Sequence, residues 1–396
     1  MDPSEYENSK GRVEHTGGGQ PYFIPAETPR SLEFTDQTLN LLEEAGHEMG
    51  RLSSFSDFLP NPHLLIQPYV RREAVLSSKI EGTQASLSEV FEEEAEGDVE
   101  PRGDPQTREK RDVQEVLNYV RALEYGIEEL DDRRIDLSLM REMHRILMQG
   151  VRGEDKNPGD WREEIVWVGP VGTPIEESTY IPPAPEEMMG CLGDLEQFLR
   201  SPPSLPELIQ IGLLHYQFEA IHPFQDGNGR IGRLLITLRL IERGKLPAPL
   251  LYLSAFFHDH RGDYYELLER VSKEGAYEEW LQFFLTGVKT QAADAASRAR
   301  RMMNLREKFR RELQDMDATT PAIELVDQLF ANPYITIPRA ERLLNVAYPT
   351  AQRAVEDYLV EAGILEEVTG KQRNRRFLCR ELLDALEEDT RIRPTG

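Results

Sequence analysis

Cysteine is nearly absent from this chain: Cys191 and Cys379 are the only two among 396 residues. They fall in stretches of different character, which excludes a disulfide framework and leaves stability to a packed core. Positive charge is also in short supply. Lys and Arg total 46 against 71 Asp and Glu, a formal net charge of -25. That balance argues against indiscriminate binding to nucleic acid or to anionic membranes. Lysine is scarce beside arginine, which fits either adaptation to high salt or ordinary solubility. No apolar run is long enough to span a bilayer, so no membrane partner is expected. Asp2, Glu5 and Glu7 make the N-terminus unlike a signal peptide, and the default expectation is a cytoplasmic location.

The chain is long enough for a large core and for two domains. Its dominant period is helical, so the expected class is mainly α. Residues 1 to about 28 are polar, carry Gly17-Gly18-Gly19, and read as a loosely ordered arm. Helical spacing covers Thr35–Arg51, Tyr69–Ile80 (closed by Gly82), Ser86–Glu94, Arg108–Glu129 and Leu137–Met148. The Gly- and Pro-rich acidic stretch Glu96–Thr107 reads as a surface loop. Between Pro158 and Pro183 the pattern changes. Ile165–Val168, Gly169-Pro170, Gly172 and Thr179–Ile181 read as a β-hairpin with a long tip. Helices resume at Pro185 and run to about Thr290. A charged, arginine-rich helix, Ala292–Gln314, follows. Then come three short helices, Ala322–Phe330, Ile337–Leu344 and Pro349–Glu361. A hairpin, Ile364–Val368 with Arg376–Cys379, carries Lys371, Arg373, Arg375 and Arg376 near its tip. Three helices and a basic-tipped hairpin resemble a winged helix-turn-helix domain.

One stretch concentrates chemistry: His222-Pro-Phe-Gln-Asp-Gly-Asn-Gly-Arg-Ile-Gly-Arg233. It lies between the helical run Leu208–Ile221 and the apolar run Ile231–Ile241, so it reads as a tight inter-helix loop. Unpaired amides and the positive end of the second helix's dipole then converge on one anion-binding spot. Gly227, Asn228 and Gly229 supply the amides. Arg230 and Arg233 lie on one helical turn and offer planar forks suited to phosphate. Asp226 is a hard oxygen ligand, and Mg²⁺ commonly takes one or two carboxylates plus substrate phosphates. A neutral His222 can accept a proton from an attacking hydroxyl. Taken singly, each has an ordinary explanation: a capping histidine, a Gly-Asn-Gly turn, solvated arginines. Their coincidence within twelve residues points to phosphate-group transfer. Phe224 reads as a core anchor. His215, Glu219 and His222 fall at i, i+4 and i+7, a spacing similar to zinc ligands, but a zinc site leaves both arginines and the glycines without a role.

At these residues the sequence resembles the Fic (filamentation induced by cAMP) family, whose pattern His-x-Phe-x-(Asp/Glu)-Gly-Asn-Gly-Arg-x-x-Arg is matched at every fixed position of 222–233. The resemblance implies a protein adenylyltransferase that moves AMP from ATP to a Ser, Thr or Tyr hydroxyl of a target protein, with the chain itself as one candidate target. It implies an all-helical Fic core with a β-hairpin flap, which the C-terminal winged helix-turn-helix domain read from the residues above would follow. It also implies His222 as general base, Asp226 holding Mg²⁺, and Gly227, Asn228 and Gly229 as the anion hole. Arg230 would meet the β-phosphate and Arg233 the γ-phosphate. Val166, Trp167, Val168 and Gly169 look like the family's flap, which aligns the target backbone by β-augmentation. Tyr264, Tyr265 and Leu268, and more weakly Tyr252, resemble positions near the adenine; core packing is the alternative for each. Ser77-Ser-Lys-Ile-Glu81-Gly82 fits (Ser/Thr)-x-x-x-Glu-(Gly/Asn), the family's inhibitory helix. Its place before the core resembles the second class, in which Glu81 occupies Arg233 and misplaces the α-phosphate.

The implied organisation is an arm (1–34), a helical region with the inhibitory helix (35–107), a catalytic core (108–290), a linker helix (291–317) and a winged helix-turn-helix domain (318–390). Removal of AMP by the same residues, with Glu81 aligning a water, is an open alternative. So is a DNA-binding regulator with a nucleotide-sensing core, with Thr350, Gln352 and Arg353 on the recognition helix; protein contact is its counterpart. A homodimer is expected by analogy with the family.

Overall fold

The computed structural model describes all residues except 7–8, 59–61, 97–106, 170–171, 371–373 and 388–396. Helices dominate, as the apolar spacing requires. The chain divides into two compact units interleaved along the sequence. One holds residues 1–50, 76–82 and 118–292; the other holds 51–75, 83–117 and 293–396.

The first unit is built around two apolar helices. Thirteen of the residues of α7 (Glu207–Ile221) are buried, on every side of the helix. A helix that is hydrophobic all round belongs at the centre of a core. Its partner α8 (Asn228–Glu242) is buried nearly as completely. Close approach is paid out in glycine: a Cβ on Gly212 of α7 would fall 2.8 Å from Leu281, and Trp280 donates its indole N–H to the Gly212 carbonyl at 2.9 Å. Leu281 and Trp280 belong to α11 (Tyr277–Asp315), one continuous helix within which the expected boundary at 290 falls. Around this centre lie α4 (Arg108–Glu129, from Asn118 on), α5 (Leu137–Leu147), α6 (Pro185–Arg200) and α10 (Arg261–Glu274).

The N-terminal arm is ordered where the sequence reading expects looseness. β1 (Arg12–His15) pairs antiparallel with β2 (Pro21–Ile24), with Val13 opposite Phe23. Tyr6, Tyr22, Phe23 and Ile24 are buried. The apolar run Tyr22-Phe-Ile24 explains the difference, because it has a core to enter and the Gly17-Gly-Gly19 stretch makes the turn.

Within the second unit, α12 (Thr320–Leu329), α13 (Ile337–Leu344) and α14 (Tyr348–Arg353) match the three expected short helices. A π-helical stretch, Ala354–Val360, continues α14. A three-stranded antiparallel sheet has the order β3-β5-β4, formed by β3 (Tyr334–Thr336), β4 (Glu366–Glu367) and β5 (Arg376–Leu378). β3 is too short for its alternation to register in the sequence. Lys371 and Arg373 lie outside the described residues. Arg375 is paired with Glu356, and Arg376 with Glu92 and Glu96. Both cysteines are free. Among the described residues, no helix is long and apolar enough to cross a membrane.

Candidate active site

The loop between α7 and α8 is shaped by its own residues. Pro223 disfavours helical geometry at the preceding position, so α7 ends there. His222 caps it in the left-handed conformation (φ 50°, ψ 60°), which a non-glycine residue adopts only when its surroundings enforce it. Gly227, at φ 77°, starts α8. Asn228 ties the loop shut: its side-chain carbonyl accepts from Phe224 N–H at 2.9 Å, and its amide donates to Phe224 C=O at 2.8 Å. Asp226 accepts from the Gly227 amide at 2.7 Å. Phe224 is fully buried and stacks on His144 with ring centroids 3.8 Å apart, which gives it the anchoring role expected of it.

Burial pushes the His222 imidazole down to about 4, and the Arg162 guanidinium adds to the effect. The ring is therefore neutral near pH 7. Its Nδ1 lies 3.3 Å from the Glu219 carbonyl. With Nδ1–H as the donor in that contact, the Nε2 lone pair remains to accept a proton. The Asp226 carboxylate is one-third exposed and stands 3.6 Å from the Arg230 guanidinium and 3.9 Å from the Lys156 ammonium.

At the far side of the loop, Arg233 is buried and held by Ser77 and Glu81. Its Nε donates to Ser77 Oγ at 2.8 Å, and Nη2 donates to the Ser77 carbonyl at 3.1 Å and to Glu81 Oε1 at 2.8 Å. Ser77 and Glu81 lie on the last turn of α2 (Pro62–Ile80) and just beyond it, where Gly82 turns the chain at φ 94°. Burial by itself raises the Glu81 carboxyl, but Arg233 outweighs it and holds the group below its ordinary value. The carboxylate also presses on the first turn of α8. A Cβ added to Gly229 would come 2.3 Å from Glu81 Oε1 and 2.9 Å from Arg233 Nη1. An anionic side chain thus occupies the N-terminal end of α8, where the helix favours negative charge.

Two family models match the chain: the Fic/DOC family N-terminal domain at residues 39–128 and the Fic/DOC family domain at residues 134–240. The chain belongs to the Fic/DOC family. Among curated proteins it is similar to "Protein adenylyltransferase Fic" of Culex quinquefasciatus, 28% identical over 173 residues, which are 43% of this chain and 31% of that one. The protein of the same name in Nematostella vectensis is 30% identical over 162 residues, 40% of this chain and 34% of that one. The chain therefore matches about a third of the length of these relatives. Among solved structures, a Fic family protein of Desulfovibrio desulfuricans has a TM-score of 0.56 at 22% identity, covering 88% of this chain and 97% of that one. Fic-1 of C. elegans has a TM-score of 0.50 at 22% identity, covering 68% and 73%. These two likenesses concern the fold.

Other residues expected in the Fic site are placed as follows. Val166 and Val168 are half-buried, and Trp167 and Gly169 are exposed. The flap is a reduced hairpin, with one bridge between Val168 and Tyr180 and a short 3-10 turn at Ile175–Glu177. The glycines and prolines of its tip limit further pairing. Trp167 donates its indole N–H to the Thr173 carbonyl at 2.8 Å. Tyr264 is in the core, its hydroxyl 2.8 Å from His215 Nε2, and Tyr252 is buried. Tyr265 is exposed beside Arg261, and Leu268 is half-buried. His215 is thus a hydrogen-bonded core residue. Glu219 is pushed up to about 8 by burial, and a Cβ on Gly232 would fall 2.4 Å from its Oε1.

Two residues that shape the Fic loop escaped the sequence reading. His144 on α5 accepts from the Gly159 amide at Nδ1 (2.8 Å), so its Nε2–H donates to the Asp226 carbonyl (2.9 Å). Burial pushes it down to about 4, which keeps this neutral tautomer. Arg162 donates to backbone carbonyls around His222. Each sits far from the motif in sequence, and no local spacing marks it.

Proposed function

We propose that this chain is a self-inhibited protein adenylyltransferase. The observation that carries the reading is the Glu81–Arg233 pair at the start of α8. In the proposed reaction the target hydroxyl attacks the α-phosphorus of ATP. The bond from that phosphorus to the bridging oxygen breaks, pyrophosphate leaves, and the hydroxyl proton passes to His222 Nε2. Arg230 and the amides of Gly227, Asn228 and Gly229 hold the phosphates, and Arg233 receives the γ-phosphate once Glu81 has left it. Asp226 suits Mg²⁺: it is part-exposed, and the substrate's phosphates would complete the coordination of an ion that needs few carboxylates. Bound there, the ion would neutralise phosphate charge. Val166–Gly169 would align the target's backbone.

While Glu81 holds Arg233, ATP binds with its γ-phosphate displaced, and its α-phosphate is out of line for attack. The test uses ATP labelled at the α- or the γ-phosphate. Label from the α-position alone should reach protein, more with Glu81→Gly and none with His222→Ala. Labelling that ignores Glu81→Gly contradicts the inhibition.

The C-terminal helices and sheet support a winged-helix reading of residues 318–390. Its described wing arginines, Arg375 and Arg376, are engaged by carboxylates. That engagement favours protein contact over DNA as the use of this surface.

A further inference from the structure

Arg162 is 3% exposed and stands at the entry to the flap. Among the described residues its guanidinium addresses backbone carbonyls only. Nε donates to His222 O at 2.8 Å, Nη1 to Glu164 O at 3.1 Å, and Nη2 to Ile221 O at 3.4 Å and to Pro183 O. Its own amide donates to Pro223 O at 3.0 Å. From the other arm of the flap, the Tyr180 hydroxyl donates to Ala220 O at 2.8 Å. Four successive carbonyls, 220 to 223, are therefore taken by donors from the two roots of the flap. They are the last carbonyls of α7 and the turn after it, where intrahelical donors run out and the helix dipole favours a cation. Glycine would adopt the left-handed turn without strain. This helix ends in a left-handed histidine.

We propose that Arg162 is a positioning residue for His222: it locks the left-handed turn that aims the imidazole and fastens both roots of the flap to that turn. The inference rests on the adenylyltransferase reading and deepens it. The flap is where the target's backbone would dock, so one side chain sets the distance between the accepting hydroxyl and the base. The nucleotide is held elsewhere, by the start of α8 with Arg230 and Arg233. Charge gives the clasp a second effect. The charged groups facing the imidazole are Arg162, Glu81 and Asp226. Arg162 is the cation among them, and it opposes protonation of the ring.

The test compares Arg162→Lys and Arg162→Met in the Glu81→Gly protein. Lysine keeps the charge and loses the planar fork; methionine loses both. For both variants kcat should fall about 100-fold, as expected for a base displaced by about an ångström. KM for the target should rise, and KM for ATP should stay within about twofold of the parent. The acid limb of the kcat profile should move to higher pH with Arg162→Met and stay in place with Arg162→Lys. The imidazole resonances of His222 in the nucleotide-free protein should titrate in the same order. That measurement decides the assignment even where the Glu81→Gly protein transfers no AMP, an outcome that would count against the adenylyltransferase reading instead. A residue that only supports the fold would lower the melting temperature and leave the ATP-versus-target split and the titration unmoved. Parental kcat in Arg162→Lys, or unchanged His222 titration in folded Arg162→Met, overturns the proposal.

Discussion

Arg233 holds an anion of its own chain, Glu81, and in the proposed mechanism the γ-phosphate is its competitor. A hydrogen bond to a charged group contributes about 1.5–3 kcal/mol, which corresponds to roughly 10- to 100-fold in rate if it is all that the γ-phosphate must displace. Ser77 offers Arg233 a neutral hydroxyl while its carbonyl stays in place. Ser77→Ala should therefore raise AMP transfer only a few-fold, less than Glu81→Gly, in the same labelling assay. Gly229 sets a different limit. The methyl of Gly229→Ala would enter the space that Glu81 now fills and a phosphate would need. Label transfer should be lost from the Gly229→Ala protein even when Glu81 is also removed; full activity of that double variant would contradict the anion-hole assignment. The pH dependence follows from signs. Arg233 holds Glu81 below its ordinary value, and His222 stays neutral down to about 4. Mild acid therefore leaves Glu81 ionised on Arg233 and should not activate the protein. At this scale most of the candidate site was legible, because the loop carries its polar groups contiguously. Tyr264 was less so: a tyrosine beside a pocket and one packed on a core histidine have the same sequence spacing.

The elements that hold the site are α7, α8 and the knot between them. Asn228 is buried and satisfies both backbone groups of Phe224. Asn228→Ala strands those groups, at a cost of about 1–3 kcal/mol for each that water cannot reach. Chemical denaturation should show a loss of about 2 kcal/mol or more; a loss within about 0.5 kcal/mol would mean that the loop closes without it. Both long apolar helices were readable from their runs, and α4 matched the expected span Arg108–Glu129. The strands were readable only in part: β4 and β5 fall inside the expected hairpin, whereas β1, β2 and β3 left no signal. β1 and β3 are only four and three residues long, too short for period-two alternation to stand out. The π-helical stretch after α14 has no composition signature either. The clasps by His144 and Arg162 depend on contacts across many residues of chain, which periodicity does not encode.

Across the molecule, three histidines are held neutral by desolvation, His144 and His215 buried and His222 half-buried. Desolvation pushes His144 and His222 down to about 4 and His215 to about 3. An unfolded histidine takes up its proton near pH 6.5. At these three positions the folded state binds fewer protons below that value, which lowers stability as the pH falls from about 6.5 towards 4, while Glu219, pushed up to about 8, works the other way and lowers stability as the pH rises towards 8. Melting temperature against pH reads this directly, and His144→Asn should make the decline shallower. The division into two interleaved units was not legible, because it falls inside α2 and inside α11, where helical period is unbroken. Acidity was legible and has a physical consequence: with a net charge of -25, any polyanion must find a local cationic site. The start of α8, with Arg230 and Arg233, is the proposed one, and Glu81 is bound to Arg233 there.

Intact-mass spectrometry of the parent and the Glu81→Gly protein, each incubated with ATP and Mg²⁺ and a hydroxyl-bearing protein acceptor, tests that claim most directly. The account predicts a mass gain of one AMP on protein, weak or absent with the parent, strong with Glu81→Gly, and abolished by adding His222→Ala. Equal gains with and without Glu81 would contradict it.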